Sequence, residues 1–160
     1  MSKQKTLKAP FSVIGIGLHT GEKATLTVNP AADNHGFKFQ RVDVEGEPII
    51  NADADLVIDT SRSTTLGKNG VEIHTTEHIL AALYGMGIDN ALIQLDGVEV
   101  PIMDGSAAAF VEAINQVGIV EQDADKDYFI VTENISYEDQ ERQTEMLLVP
   151  QDEFRLTVMV

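Results

Sequence analysis

Two short helical stripes interrupt a chain that otherwise alternates with the two-residue period of half-buried strands, and this mixture restricts the fold more than any other feature. Ala24, Leu26 and Val28 point one way while Thr25 and Thr27 point the other, as expected for a strand with one face in a core. Phe11, Val13 and Ile14 form a similar segment ahead of a glycine-rich turn, and Asn29-Pro30 closes the strand that follows. Further short strands are predicted at residues 36–41, 55–59, 63–66, 71–73 and 90–95, separated by turn-forming clusters such as Gly67-Lys68-Asn69-Gly70.

One helix is predicted from residue 76 to about residue 85, because Ile79, Leu80 and Leu83 recur at helical spacing and the glycines at 85 and 87 stop it. A second follows Ser106, a good N-cap: Phe110, Val111, Ile114 and Val117 form one apolar stripe, and Gly118 sits where a C-terminal glycine belongs. Both helices are amphipathic and should cover one face of the sheet. The expected fold is therefore α+β: a two-layer sandwich, mainly antiparallel sheet with helices on one face, rather than a parallel doubly wound sheet.

At 160 residues the chain fits one domain, or one domain and part of another. Residues 121–127, EQDADKD, read as a polar linker. Three strand-like segments follow, at 128–131, 146–149 and 154–160, with no helix to cover them. Three bare strands are marginal alone. The expected division is a first domain at 1–125 and, at 126–160, the first strands of a second domain that the chain does not finish.

The absence of cysteine excludes disulfides and thiolate metal sites, so any metal must be held by His, Asp or Glu. With 26 acidic against 11 basic residues the net charge is −15, which repels phosphate backbones and argues against nucleic acid and anionic membranes as partners. No apolar run approaches the ~18 residues of a membrane span. The first ten residues, MSKQKTLKAP, lack the apolar stretch and cleavage site of a signal peptide, making a cytoplasmic location the expectation.

The chemistry concentrates in His74 to His78, HTTEH. As a bare pattern this matches H-x-x-E-H, in which two histidines one helical turn apart hold zinc and the glutamate is the base of a metalloprotease. Yet His74 follows the strand-like Val71-Glu72-Ile73 and precedes two threonines suited to an N-cap, which places it outside the helix. The competing reading pairs Glu77 with His78 in the first helical turn. There the positive end of the helix dipole favours an ionised carboxylate and a neutral imidazole, the forms required of a general base and a metal ligand. A third possibility is a non-catalytic α+β module with these residues in structural roles.

Thr75 to Phe110, TTEHILAALYGMGIDNALIQLDGVEVPIMDGSAAAF, together with GIGLHTGE at Gly15 to Glu22 and SRSTTLG at Ser61 to Gly67, closely resembles UDP-3-O-acyl-N-acetylglucosamine deacetylase. The resemblance spans essentially the whole chain and is nearest to the variant fused to a 3-hydroxyacyl-carrier-protein dehydratase. It implies the amino-terminal portion of a zinc-dependent hydrolase of lipid A biosynthesis, which removes the N-acetyl group of a UDP-linked acylated amino sugar. It further implies His78 as one of three zinc ligands and Glu77 as the catalytic base, with His74 not a ligand. The family's other two ligands belong to an H-x-x-x-D motif in a second domain. Here the residues four after His19, His35, His74 and His78 are Lys23, Phe39, His78 and Ala82, so the motif is not in this sequence.

Gly15-x-Gly17 lacks the third glycine of a dinucleotide fingerprint and has no helical pattern after it, so a tight turn is expected there instead. His19, within the matching family motif, is a candidate neighbour of the active site. Asp104-Gly105-Ser106 reads as a turn running into the second helix.

Overall fold

The structure is a computed structural model describing residues 2–159. The chain divides into two compact units, residues 1–126 and residues 127–160.

The first unit runs β1 (Lys3–Leu7), β2 (Phe11–Ile16), β3 (Lys23–Pro30), β4 (Phe37–Arg41), β5 (Ile49–Asn51), a 3-10 turn (Ala54–Leu56), β6 (Val57–Asp59), β7 (Thr65–Lys68), β8 (Val71–Ile73), α1 (Glu77–Gly85), β9 (Ala91–Leu95), α2 (Ala108–Val117) and β10 (Ile119–Asp125). Its main sheet has the order β2-β3-β9-β4-β5 and is antiparallel except for the β4–β9 pair. That one parallel pair follows from the long crossover through β5 to α1 that separates the two strands in sequence.

The alternation of β3 does what the sequence demands of it. Ala24, Leu26 and Val28 are buried, and Leu26 and Val28 lie opposite Leu95 and Ile93 of β9. Phe39 of β4 lies beside Ile93 from the other side. Ile79, Ala82 and Leu83 of α1 and Phe110 and Ile114 of α2 join this core. Each of the larger side chains, Val, Leu, Ile or Phe, contributes about 1.5–3 kcal/mol by leaving water. The architecture is the α+β two-layer sandwich expected from the sequence.

Two expectations fail instructively. Residues 119–125 are not a linker but β10, paired antiparallel with β1 through Leu7–Ile119, Thr6–Val120 and Lys5–Glu121. This ribbon is held by backbone pairing and polar side chains: Lys3 Nζ meets Asp125 at 2.9 Å, and Gln122 bonds both Ala31 O and Asn90. A polar sequence therefore suits it. In the second unit, β11 (Ile135–Asp139) and β12 (Thr144–Leu148) form an antiparallel hairpin, whereas 128–131 and 154–159 are not strands; residue 160 lies outside the described residues. Apolar content gave those segments strand propensity but no partner. Among the described residues, no hydrophobic side chain beyond residue 126 is buried.

Candidate active site

The chain passes from strand to helix in four residues, each fixed differently. His74 is still extended: its N–H donates to Val98 O at 2.9 Å and its carbonyl accepts from Val100 N–H at 3.1 Å. Thr75 then turns the chain with a φ of 60°. For a β-branched residue this left-handed conformation costs about 1–3 kcal/mol and persists only where the surroundings enforce it.

Thr76 stands at the N-cap of α1 but already has helical φ and ψ, −76° and −20°. A capping side chain requires extended backbone, so its hydroxyl donates instead to Thr64 O at 3.0 Å. Glu77 opens the helix, and its Oε2 accepts the Thr64 N–H at 2.9 Å. Thr64 thus holds the first turn from outside. Among the described residues nothing hydrogen-bonds Oε1 of Glu77. His78 follows in the same turn, and both side chains are half-buried.

Sequence reasoning missed Glu99. It is 2% exposed and bonded to two distant segments. Its Oε1 accepts from Thr75 Oγ1 at 2.9 Å and His19 N–H at 3.1 Å, and its Oε2 accepts from Thr20 N–H at 2.8 Å. Burial pushes this carboxyl up, but the N–H groups of Thr20 and His19 and the hydroxyls of Thr20 and Thr75 outweigh burial and hold it below the ordinary glutamate value. The available signal was a lone acid inside Val98-Glu99-Val100, since a charge in an apolar strand-like run needs partners.

The glycine-rich turn is explained by the same carboxylate. A Cβ on Gly17 would lie 2.9 Å from Glu99 Cδ and closer still to Glu99 Oε2 and Thr20 Oγ1. Gly17 accepts from Gly21 N–H, and its own N–H donates to Glu22 O, closing the turn between β2 and β3. His19 lies on this turn with its side chain exposed. The turn leads into a strand, so the structure gives Gly15 and Gly17 no dinucleotide-binding helix.

Asp104 closes the turn before α2. Its Oδ1 accepts Ser106 N–H at 3.0 Å and Ser106 Oγ at 2.8 Å, contacts that hold its carboxyl below the usual range. Ser106 Oγ in turn accepts Ala108 N–H at 3.1 Å, so it supports the helix from one residue before the N-cap, Ala107. An open concavity of about 690 Å³ nearby, lined by Ile14, Ile16, Met103 and Ala108 among others, includes neither Glu77 nor His78.

The structure thus brings Glu77 and His78 together on α1 and leaves His74 off that helix, paired with Glu72 at 3.3 Å. The one-face histidine pair of a protease helix is not formed. Among the described residues, no group of three or more His, Cys, Asp or Glu side chains is placed to hold a metal ion, and no helix is long and apolar enough to cross a membrane. The residues of this chain therefore do not by themselves fit a zinc site.

These features define an α+β sandwich that presents a carboxylate and an imidazole side by side at a helix N-terminus. Residues 4–160 match the profile of the family described as LpxC: UDP-3-O-acyl N-acetylglycosamine deacetylase, and the chain belongs to that family. It is 52% identical over 160 residues to the bifunctional enzyme LpxC/FabZ of Bacteroides thetaiotaomicron, covering all of this chain and 35% of that protein. The corresponding enzyme of Chlorobaculum tepidum is 47% identical over 98% of this chain and 34% of its own length. The UDP-3-O-acyl-N-acetylglucosamine deacetylase of Myxococcus xanthus is 45% identical over 98% of this chain and 49% of its own length. The chain thus spans about a third to a half of these relatives.

Proposed function

We propose that this chain is the amino-terminal portion of a zinc-dependent, cytoplasmic deacetylase of lipid A biosynthesis, in which Glu77 is the general base and His78 one ligand of the metal. Residues 1–125 form its first domain and 126–160 begin the second. The substrate is a UDP-3-O-acyl-N-acetylglucosamine, and a fused dehydratase domain follows, as the LpxC/FabZ relatives suggest. The observation carrying this reading is the Glu77 carboxylate, anchored through one oxygen by Thr64 N–H beside His78 in the first turn of α1.

His78, together with ligands outside this chain, would hold the zinc, which would supply Lewis acidity toward the acetyl carbonyl and lower the pKa of water. Glu77 Oε1 takes one proton from the water that attacks the carbonyl carbon. The C–N bond breaks, acetate departs, and the sugar amine receives its proton from a group outside this chain. Anchoring only Oε2 keeps the base in one orientation while its other oxygen handles the proton.

The test is a pair of variants in the full-length protein that carries this chain. Glu77→Ala is expected to retain zinc and lose turnover on the order of 100-fold or more. His78→Ala is expected to lose both metal and turnover. Near-wild-type turnover in zinc-loaded Glu77→Ala would end the base assignment. The 160-residue chain alone is expected to bind zinc weakly and to deacetylate nothing.

A further inference from the structure

Glu99 is a charged side chain with no cation bonded to it among the described residues, buried at the meeting point of two segments far apart in sequence. One is the turn between β2 and β3, which offers the N–H groups of His19 and Thr20. The other is the link between β8 and α1, which offers the Thr75 hydroxyl. A buried carboxylate is unfavourable unless hydrogen bonds replace its hydration, and here the donors are His19 and Thr20 of the β2–β3 turn and Thr75, two residues before Glu77. Gly17 is bare because its Cβ would occupy the space of this carboxylate.

The backbone of Thr75 sets the direction in which α1 leaves the sheet. Its left-handed φ is disfavoured and must be held from outside. Backbone bonds tie the residues on either side of Thr75 to Val98, Val100 and Thr64, and Glu99 accepts from its hydroxyl; two residues later the chain reaches Glu77. A carboxylate that anchors the Thr75 side chain therefore adds to what sets the position from which the Glu77 and His78 side chains project.

We propose that Glu99 is a positioning residue of this site: one buried carboxylate ties the His19–Thr20 turn to the left-handed Thr75 and so aims the first turn of α1. The proposal rests on Glu77 acting as general base. Glu99 touches no reacting atom; it acts through Thr75 on the geometry of Glu77. Replacing it by glutamine keeps the shape but turns one acceptor oxygen into a donor facing other donors.

Steady-state kinetics on the full-length protein with Glu99→Gln, Glu77→Gln and the double variant tests this. Misplacing a base without removing it should lower kcat on the order of 10- to 100-fold, with KM within about twofold of wild type. Added to Glu77→Gln, Glu99→Gln should lower kcat by less than about threefold, because the group it positions is already gone. Wild-type kcat in Glu99→Gln, an effect confined to KM, or the same fold loss in both backgrounds would overturn the positioning role. If Glu99→Gln does not fold, Thr75→Val removes one hydrogen bond at equal shape. It should show a smaller kcat loss that again vanishes on the Glu77→Gln background, and an unchanged kcat would refute the proposal. Wild-type turnover in Glu77→Gln alone would instead sink the general-base reading, and this proposal with it.

Discussion

Both helices of the first unit follow closely on a residue in the left-handed region, Thr75 at 60° before α1 and Met103 at 55° before α2. What happens next differs. At α2 every polar partner is local: Asp104 bonds Ser106, and Ser106 bonds Ala108. At α1 the partners are remote, with Thr76 and Glu77 reaching Thr64 and Thr75 reaching Glu99. The start of α2 is a self-contained turn. The start of α1 is assembled from three segments, and there the Glu77 carboxylate is anchored through one oxygen by the remote Thr64 N–H. A helix start that must aim side chains needs support from outside its own turn, because local caps fix the backbone but not the path by which the helix arrives.

Disturbing the remote support should therefore damage α1 and spare α2. Gly17→Ala is expected to have the larger effect on stability, since its methyl group would displace the Glu99 carboxylate and the Thr20 hydroxyl. Overpacking of this kind costs about 1–3 kcal/mol, measurable by urea unfolding of the 160-residue chain. Hydrogen exchange should quicken at the amides of His19 and Thr20 and stay unchanged at Ala108. Equal acceleration at both helix starts would erase the distinction between them.

Acid provides a second, gentler probe of the same support. Because Glu99 is held below its ordinary value of 4.5, its contribution to stability is complete above that pH and disappears as pH falls through the lower folded-state value. Asp43, Asp59 and Asp104 are lowered too and add to the acid response of the whole chain. The difference in unfolding free energy between wild type and Glu99→Gln isolates the Glu99 part. It should be constant near neutral pH and shrink as pH falls below 4.5; a difference that stays level through acid would show that the carboxylate charge contributes nothing.

The same contrast explains what could be read from the sequence. Gly118 and the buried face of β3 were legible because each acts within its own element or turn; Ser106, expected as the N-cap, instead stands one residue before the N-cap Ala107 and accepts from Ala108 N–H. The placement of Glu77 and His78 in a first helical turn, with His74 outside, was legible for the same reason. Glu99 was not, because its partners His19 and Thr20 lie about eighty residues earlier and no spacing rule links them. Nor was β10, whose partner β1 stands at the other end of the unit and whose polar side chains imitate a linker. Thr76 shows a subtler failure: it occupies the cap position that its residue type suggests, but its helical backbone sends the hydroxyl to Thr64 instead. Residue preference located the helix start; long-range bonding decided how that start is used.

The smallest expected effect falls on the self-contained helix. Ser106→Ala removes the acceptor for Ala108 N–H and the donor to Asp104, leaving one amide of the first turn of α2 to water. Loss of a serine at a helix start costs about 1 kcal/mol, and the exposed position of this turn allows water to replace part of what is lost. Urea unfolding of Ser106→Ala should therefore show a stability loss below that of Gly17→Ala, with faster exchange at Ala108 and no change at His19 or Thr20. The hydroxyl bond to Asp104 is also part of what lowers that carboxyl, so in the variant its titration, followed by NMR, should move up toward the ordinary aspartate value. A change at the His19–Thr20 turn in this variant would mean that the two helix starts are coupled, and that α2 helps to aim α1 after all.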